Sequence, residues 1–356
     1  MAVGSRADPV QSRQGDAVIQ VDPLNAPTRN PETYPGDIPT HSYLLCGNQY
    51  ARIEPVADRR LSQAIVYDLS GDVVAEAAGG NVLPLNFVLL RLNAPTMNQR
   101  VAVLSVGSNA APSQLALKFE SRNVNGVVPV IRARVRGVAI SYSAHLNPNG
   151  YIPAAPVHDD TGNELVNALV VFLDPAQLNA VDDSEPNYVR VDISAARYPV
   201  TLDNGERVEQ CALYRTQHGI IRPKVSALGP FFDATRMTPQ RDVVNELFGN
   251  EPGLRERLGA RTYDEFRQKA PELSMNFREI LEELHLKCPD GLHVSASAGL
   301  TYGESGSSFD TAPELTVDFS LKVVLPTPRV VTRQGEPIVQ LSRGARLRRL
   351  GGQSTS

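Results

Sequence analysis

Val101-Ala-Val-Leu-Ser-Val106 runs directly into Gly107-Ser108-Asn109. The first six residues form a strand-like apolar run, and the next three favour a turn. A turn of this kind can aim backbone N–H groups at an anionic or carbonyl oxygen. Glu185 follows 76 positions after Asn109, within Asp182-Asp183-Ser184-Glu185-Pro186-Asn187-Tyr188-Val189-Arg190. Its carboxylate could act as a base. No other pair of segments in the sequence looks so much like two halves of one site.

The surrounding pattern is strongly β. Val128 to Tyr142 carries strand-like alternation over part of its length, Ile131, Ala133 and Val135 against Arg132, Arg134 and Arg136. Ala168 to Leu173 is a continuous apolar run. Asp174-Pro175 then opens a short helix, with Asp at the cap and Pro in the first turn. Tyr188 to Ile193 alternates again. Asp203-Asn204-Gly205-Glu206 reads as a type I′ hairpin turn leading to a strand over Val208–Tyr214.

On the N-terminal side, prolines at 9, 23, 27, 31, 35 and 39 predict a disordered or loosely attached segment over 1–38. Residues 39–100 read as a β-rich extension, with strands at 63–69 and 87–92 and a turn at Ser70-Gly71-Asp72. On the C-terminal side the pattern turns helical. Thr238-Pro239 starts one helix and Gly249 ends it; Thr262-Tyr-Asp-Glu265 is a capping box for a second; 274–285 is a third. Strands are expected again at Leu292–Ala296 and from Leu315 to Val324, with a Gly/Ser-rich loop over 303–313. The predicted divisions are 1–38, 39–100, 101–220, 221–326 as helical block plus late strands, and 327–356 as a polar basic tail.

Composition narrows the function classes. With 356 residues and 42% hydrophobic side chains, a sizeable core is expected, as one large domain with appendages or as two domains. A formal net charge of −4 argues against a general nucleic-acid binder. The basic cluster Arg343, Arg346, Arg348 and Arg349 reads as a solvated tail or as a contact for an acidic partner. Three cysteines without C-x-x-C spacing suit a reducing compartment and give no zinc signature. No signal peptide is visible, and no apolar run approaches the roughly 18–20 residues of a membrane span, so cytoplasmic residence is the expectation. The six histidines offer no pair at metal-ligand spacing, and no phosphate loop, dinucleotide fingerprint or nucleophile elbow occurs.

Residues 101–215 resemble the γ-glutamylcyclotransferase family. The strand into Gly107-Ser108-Asn109 is similar to that family's substrate loop. Gly150-Tyr-Ile-Pro through Leu165-Val-Asn-Ala-Leu-Val-Val-Phe-Leu is similar to the stretch leading into its central strand. Leu178 through Glu185-Pro-Asn-Tyr188-Val-Arg190 is similar to its acid-rich turn. The family carries Tyr before Gly-Ser-Asn and Gly after the Glu, where this chain has Val106 and Pro186.

The resemblance implies an α+β fold, a small mixed β-barrel, with a C-terminal helical and β extension. It implies Glu185 as the catalytic base, with Gly107, Ser108 and Asn109 binding substrate; Tyr188, beside that acid, is expected as a further substrate-binding residue in the pocket wall. The substrate class is a γ-glutamyl or amide-linked amino acid, released as 5-oxoproline without metal or cofactor. Neither nucleic acid nor membrane is an expected partner. The residues by themselves leave other readings open. Gly107-Ser108-Asn109 could be a plain strand-ending turn, Glu185 a solvated acid, and Tyr188 a core residue with a satisfied hydroxyl. The chain as a whole could be a non-catalytic binding module on the same fold, or a structural protein.

Overall fold

The computed structural model describes residues 19–66, 84–222 and 228–302, together with the backbone of strands Arg329–Arg333 and Glu336–Gln340. The expected turn at Ser70–Asp72, the 303–313 loop, the strand from Leu315 and the Arg343–Arg349 cluster lie outside the described residues. Within the expected tail, Arg329–Arg333 and Glu336–Gln340 pair as an antiparallel hairpin.

The chain is a mixed α+β structure organised on one large, mostly antiparallel sheet. Its main strands are β1 (Tyr43–Cys46), β2 (Gln49–Glu54), β3 (Val101–Ser105), β4 (Val127–Arg136), β7 (Glu164–Leu173), β8 (Tyr188–Ser194) and β9 (Gln210–Thr216). Between β4 and β7 lies a separate hairpin of β5 (Val138–Tyr142) and β6 (Ala154–His158). The large sheet runs β2-β1-β4-β7-β3-β9-β8, and only the β3–β9 pairing is parallel. Ile19–Gln20 pairs on one edge and Ser295–Ala296 on the other. Among the described residues no pairing joins these two edges, so the sheet is open there.

The central position of β3 follows from its sequence. All five of its residues are buried, and the period of two divides the first four between two apolar clusters. Val101 and Val103 pack with Val171, Leu115 and Phe119; Ala102 and Leu104 pack with Val170, Phe172 and Leu213. Each such Val or Leu contributes about 1.5–3 kcal/mol by leaving water. Helices α2 (Pro112–Ser121) and α3 (Pro175–Asp182) cover the first face. Helix α1 (Leu85–Arg91) belongs to the other. A third cluster is built by α4 (Gln240–Asn250), α5 (Pro252–Leu258), α6 (Tyr263–Leu273) and α7 (Phe277–Glu283), with Tyr142 and Ile152.

Several elements differ from expectation. The 87–92 run is α1, not a strand. A short apolar run reads equally as strand or buried helix, and here Pro84 opens the turn and Asn93 at φ +53° closes it. The 128–142 stretch, expected to alternate over part of its length, forms two strands, separated by Gly137 at φ +78°. The 63–69 strand shortens to Ile65–Val66 within the described residues. Helix α4 begins one residue later than predicted, with Pro239 at its cap, and runs through Gly249. Thr262 caps α6 by accepting from Glu265 N–H, but the Glu265 carboxylate takes the N–H of Arg261, so the box is not reciprocal. Only Ser295–Ala296 of the 292–296 strand pairs. The hairpin at 203–206 forms with Gly205 alone at positive φ, +86°.

The largest difference is N-terminal. Residues 22–38, expected to be loosely attached, are anchored: Ala26 is fully buried and Tyr34 is 4% exposed. Short proline-started 3-10 turns supply backbone bonds there that sheet or helix would otherwise give. The expected 39–100 extension joins the main sheet, where β1 pairs directly with β4. No helix among the described residues is long and apolar enough to cross a membrane.

Candidate functional site

The parallel β3–β9 pair sets the site. Because both strands run the same way, the turn after β3 and Thr216 at the end of β9 come to the same side of the sheet. Tyr188, which starts the antiparallel β8, sits opposite Thr216. A cavity of about 660 Å3 opens at this edge, a volume usual for small-molecule sites. Gly107, Ser108, Asn109, Glu185 and Tyr188 all line it.

Glu185 is delivered by the end of α3. Asp174 caps this helix, accepting from Gln177 N–H at 2.9 Å, with Pro175 in the first turn as predicted. The chain then turns tightly, with Glu185 N–H donating to Asp182 and Tyr188 N–H donating to Glu185. The Glu185 carboxylate reaches the substrate-loop candidate directly: Asn109 Nδ2 donates to its Oε1 at 3.0 Å. Lys118 completes the cluster. Its ammonium lies 2.5 Å from Glu185 Oε1 and 2.6 Å from Asn109 Oδ1. Both side chains of the ion pair are largely buried, at 6% and 16% exposure. Pro112 starts α2 just after the Gly-Ser-Asn turn, which places Lys118 two helical turns along, back over Asn109.

Gly107 is required by a close approach. A Cβ there would stand 2.8 Å from the Tyr34 hydroxyl and 3.1 Å from Ala154 Cβ. Tyr34 stacks on Tyr151, with ring centroids 4.6 Å apart, and its hydroxyl accepts from Ala154 N–H at 2.5 Å. Tyr188 donates to the carbonyl of the same Ala154 at 2.8 Å. The hydroxyl of Tyr188 is therefore satisfied, while its ring forms part of the wall. Burial, with a smaller contribution from the Glu185 charge, pushes the Tyr34, Tyr151 and Tyr188 hydroxyls above the ordinary tyrosine range. They remain neutral and able to donate. Among the residues lining the cavity, Ser105 has its Oγ buried without a partner among the described residues.

The structure thus brings the five sequence-predicted residues around one cavity. It adds Lys118, Tyr34 and Tyr151, which sequence reading did not single out. Lys118 could have been suspected from Pro112, since a helix starting there with Leu115 and Phe119 inward carries Lys118 beside the core. Tyr34 gave no signal within its proline-rich segment. Among the described residues no group of three or more His, Cys, Asp or Glu is placed to hold a metal ion.

No protein-family model and no curated protein matches the sequence. Two solved structures show some likeness. One, titled "Gamma-glutamyl cyclotransferase", is 13% identical over 56% of this chain and 95% of its own, with a TM-score of 0.27. The other, an uncharacterized protein from Homo sapiens, is 13% identical over 57% of this chain and 96% of its own, with a TM-score of 0.28. Likeness at this level carries neither a fold assignment nor a chemistry, and the candidate site stands on its geometry.

Proposed function

We propose that the chain is a γ-glutamyl cyclotransferase-like enzyme that releases 5-oxoproline from a γ-glutamyl or related amide-linked amino acid. The observation that carries this reading is the hydrogen bond between Asn109 and Glu185 at the wall of the cavity. It joins the two segments whose motifs resemble that family's. On this reading the sheet corresponds to that family's small mixed barrel, and the protein acts in the cytoplasm without metal or cofactor.

The substrate's α-ammonium meets the Glu185 carboxylate and gives it a proton. The free amine attacks the γ-carbonyl carbon of the same residue, and a ring C–N bond forms. The amide C–N bond to the leaving amine breaks, and that amine takes the proton back from Glu185 together with the second proton shed by the ring nitrogen, so it leaves as an ammonium and the ring as a neutral lactam. The nucleophile and electrophile belong to one molecule, so holding the bent conformation supplies much of the rate. Backbone N–H groups of the 107–109 turn are suited to the substrate carboxylate or the developing oxyanion. Lys118 and Asn109 hold Glu185 in position through Oε1.

A second reading has its own support. The Lys118 ammonium already occupies Glu185 Oε1, as it would in a binding module that uses the pair to shape a pocket without turnover. One assay separates the two: 5-oxoproline release from a panel of γ-glutamyl compounds, for wild type and Glu185→Gln. Turnover lost in the variant supports the enzyme; release equal in both removes Glu185 from the chemistry; panel binding without turnover selects the binding module.

A further inference from the structure

His145 lines the same cavity from the turn after β5, and neither the motifs nor the Glu185 cluster involve it. It is 6% exposed. Burial, and secondarily the neighbouring His218, lower its pKa to about 3. The ring is therefore neutral at ordinary pH and carries a single proton on one nitrogen, chosen by its hydrogen bonds.

Those bonds form a short relay. Thr216 Oγ1 accepts the His218 N–H at 3.1 Å and lies 2.5 Å from Ser143 Oγ. Ser143 Oγ lies 2.6 Å from His145 Nδ1. The Thr216 hydroxyl has one hydrogen-bonded acceptor among the described residues, Ser143 Oγ, so it donates there. Ser143 has one proton to give, to His145 Nδ1 or to the Tyr188 oxygen, and the short 2.6 Å contact assigns it to Nδ1. Nδ1 is thereby an acceptor, and the ring proton belongs on Nε2. That nitrogen has no hydrogen-bond partner among the described residues. It is also absent from the fully buried, unpartnered polar atoms, so it reaches accessible surface, and the surface this residue borders is the cavity. Ser143 itself is fully buried, which makes its hydroxyl a relay and not a nucleophile.

We propose that His145 is a ligand-binding residue: its Nε2–H, fixed by the Thr216–Ser143 relay, donates a hydrogen bond to a carbonyl or carboxylate oxygen of the small molecule in the cavity. Ser143 and Thr216 are positioning residues that act through the ring. The inference rests on the cavity being a small-molecule site, which is the part of the proposed function that needs no turnover. It also completes the chemistry of an amino-acid ligand. Glu185 offers an anion for an ammonium group, and His145 offers a neutral donor for an oxygen of the same molecule.

Nitrogen NMR of the full-length, 15N-labelled protein tests this. The expected result is the Nε2–H tautomer of His145, with an Nε2 resonance that shifts on titration with 5-oxoproline and with formate. Thr216→Val is expected to yield a tautomer mixture. His145→Leu is expected to weaken 5-oxoproline binding about fivefold to tenfold, and His145→Gln, which keeps an N–H at similar reach, to recover most of it. An Nδ1–H tautomer in wild type, the result if Ser143 donates to the nearby Tyr188 oxygen, overturns the inference. So does an Nε2 resonance that neither compound moves. A response to formate alone keeps His145 and removes the γ-glutamyl reading. The wild-type measurements decide the matter even if a variant does not fold.

Discussion

Asp182 and Glu185 stand three residues apart at the end of α3, and they meet different surroundings. Asp182 is saturated. Its two oxygens take Arg190 Nε at 3.0 Å, Arg190 Nη2 at 3.2 Å and the Tyr214 hydroxyl at 2.6 Å, which ties the helix end to β8 and β9. It does not line the cavity. Glu185 does, and both of its contacts, Asn109 and Lys118, fall on one oxygen. The carboxylate that is bonded on both oxygens holds the fold. The one bonded on a single oxygen faces space that a ligand can enter. A run such as Asp182-Asp183-Ser184-Glu185 shows acids at a helix end, and only the partners brought from elsewhere tell them apart.

The sharpest way to break the comparison is Glu185→Gln. We expect at least a hundredfold loss of 5-oxoproline release per folded protein, the range in which positioned acid–base groups act; unchanged steady-state rates would put Glu185 on the same footing as Asp182. Lys118→Met comes next, because it strands a largely buried carboxylate. A stability loss of about 3 kcal/mol in urea unfolding is expected, and a midpoint equal to wild type would mean that the pair does not fix Glu185. Gly107→Ala tests the cavity side alone. Its methyl must displace the Tyr34 hydroxyl, at about 2 kcal/mol, read as a lower thermal midpoint. Asp182→Asn is the mildest. It should cost about 1 kcal/mol, since the amide oxygen can still accept from Arg190 Nε and Tyr214, only the Arg190 Nη2 bond is lost, and the site is partly solvated. Per folded protein its rate should match wild type; a rate loss like that of Glu185→Gln would erase the distinction.

What was legible in the sequence was what period and turn chemistry encode. The buried strand into Gly107, the Asp174-Pro175 helix start and the acid turn before Tyr188 all depend on residues within a few positions of one another. Their meeting across the sheet could be expected only from the resemblance. Lys118 was hidden because a lysine on a helix ordinarily reads as solvated, and its burial depends on where α2 lands. Tyr34 was hidden for the opposite reason. Prolines at 31 and 35 deny regular structure, but they do not prevent a segment from being held by one stacked and hydrogen-bonded ring. The 87–92 run failed as a strand because a stretch of six residues, five of them apolar, carries no period long enough to separate strand from helix.

The hydrogen bond between Tyr34 and Ala154 spans 120 residues of chain, Asn109 to Glu185 spans 76, and Ser143 to Thr216 spans 73. The residues that line the cavity run from Thr28 to Tyr214, and the relay behind them ends at Thr216. Contacts this distant are slow to close during folding, because the intervening loops must first lose their entropy. On the ribosome, a chain released before Thr216 emerges lacks the relay and the end of β9. The cavity wall is therefore complete only once Thr216 has been made, and a chain stopped before it cannot bind or turn over a ligand there.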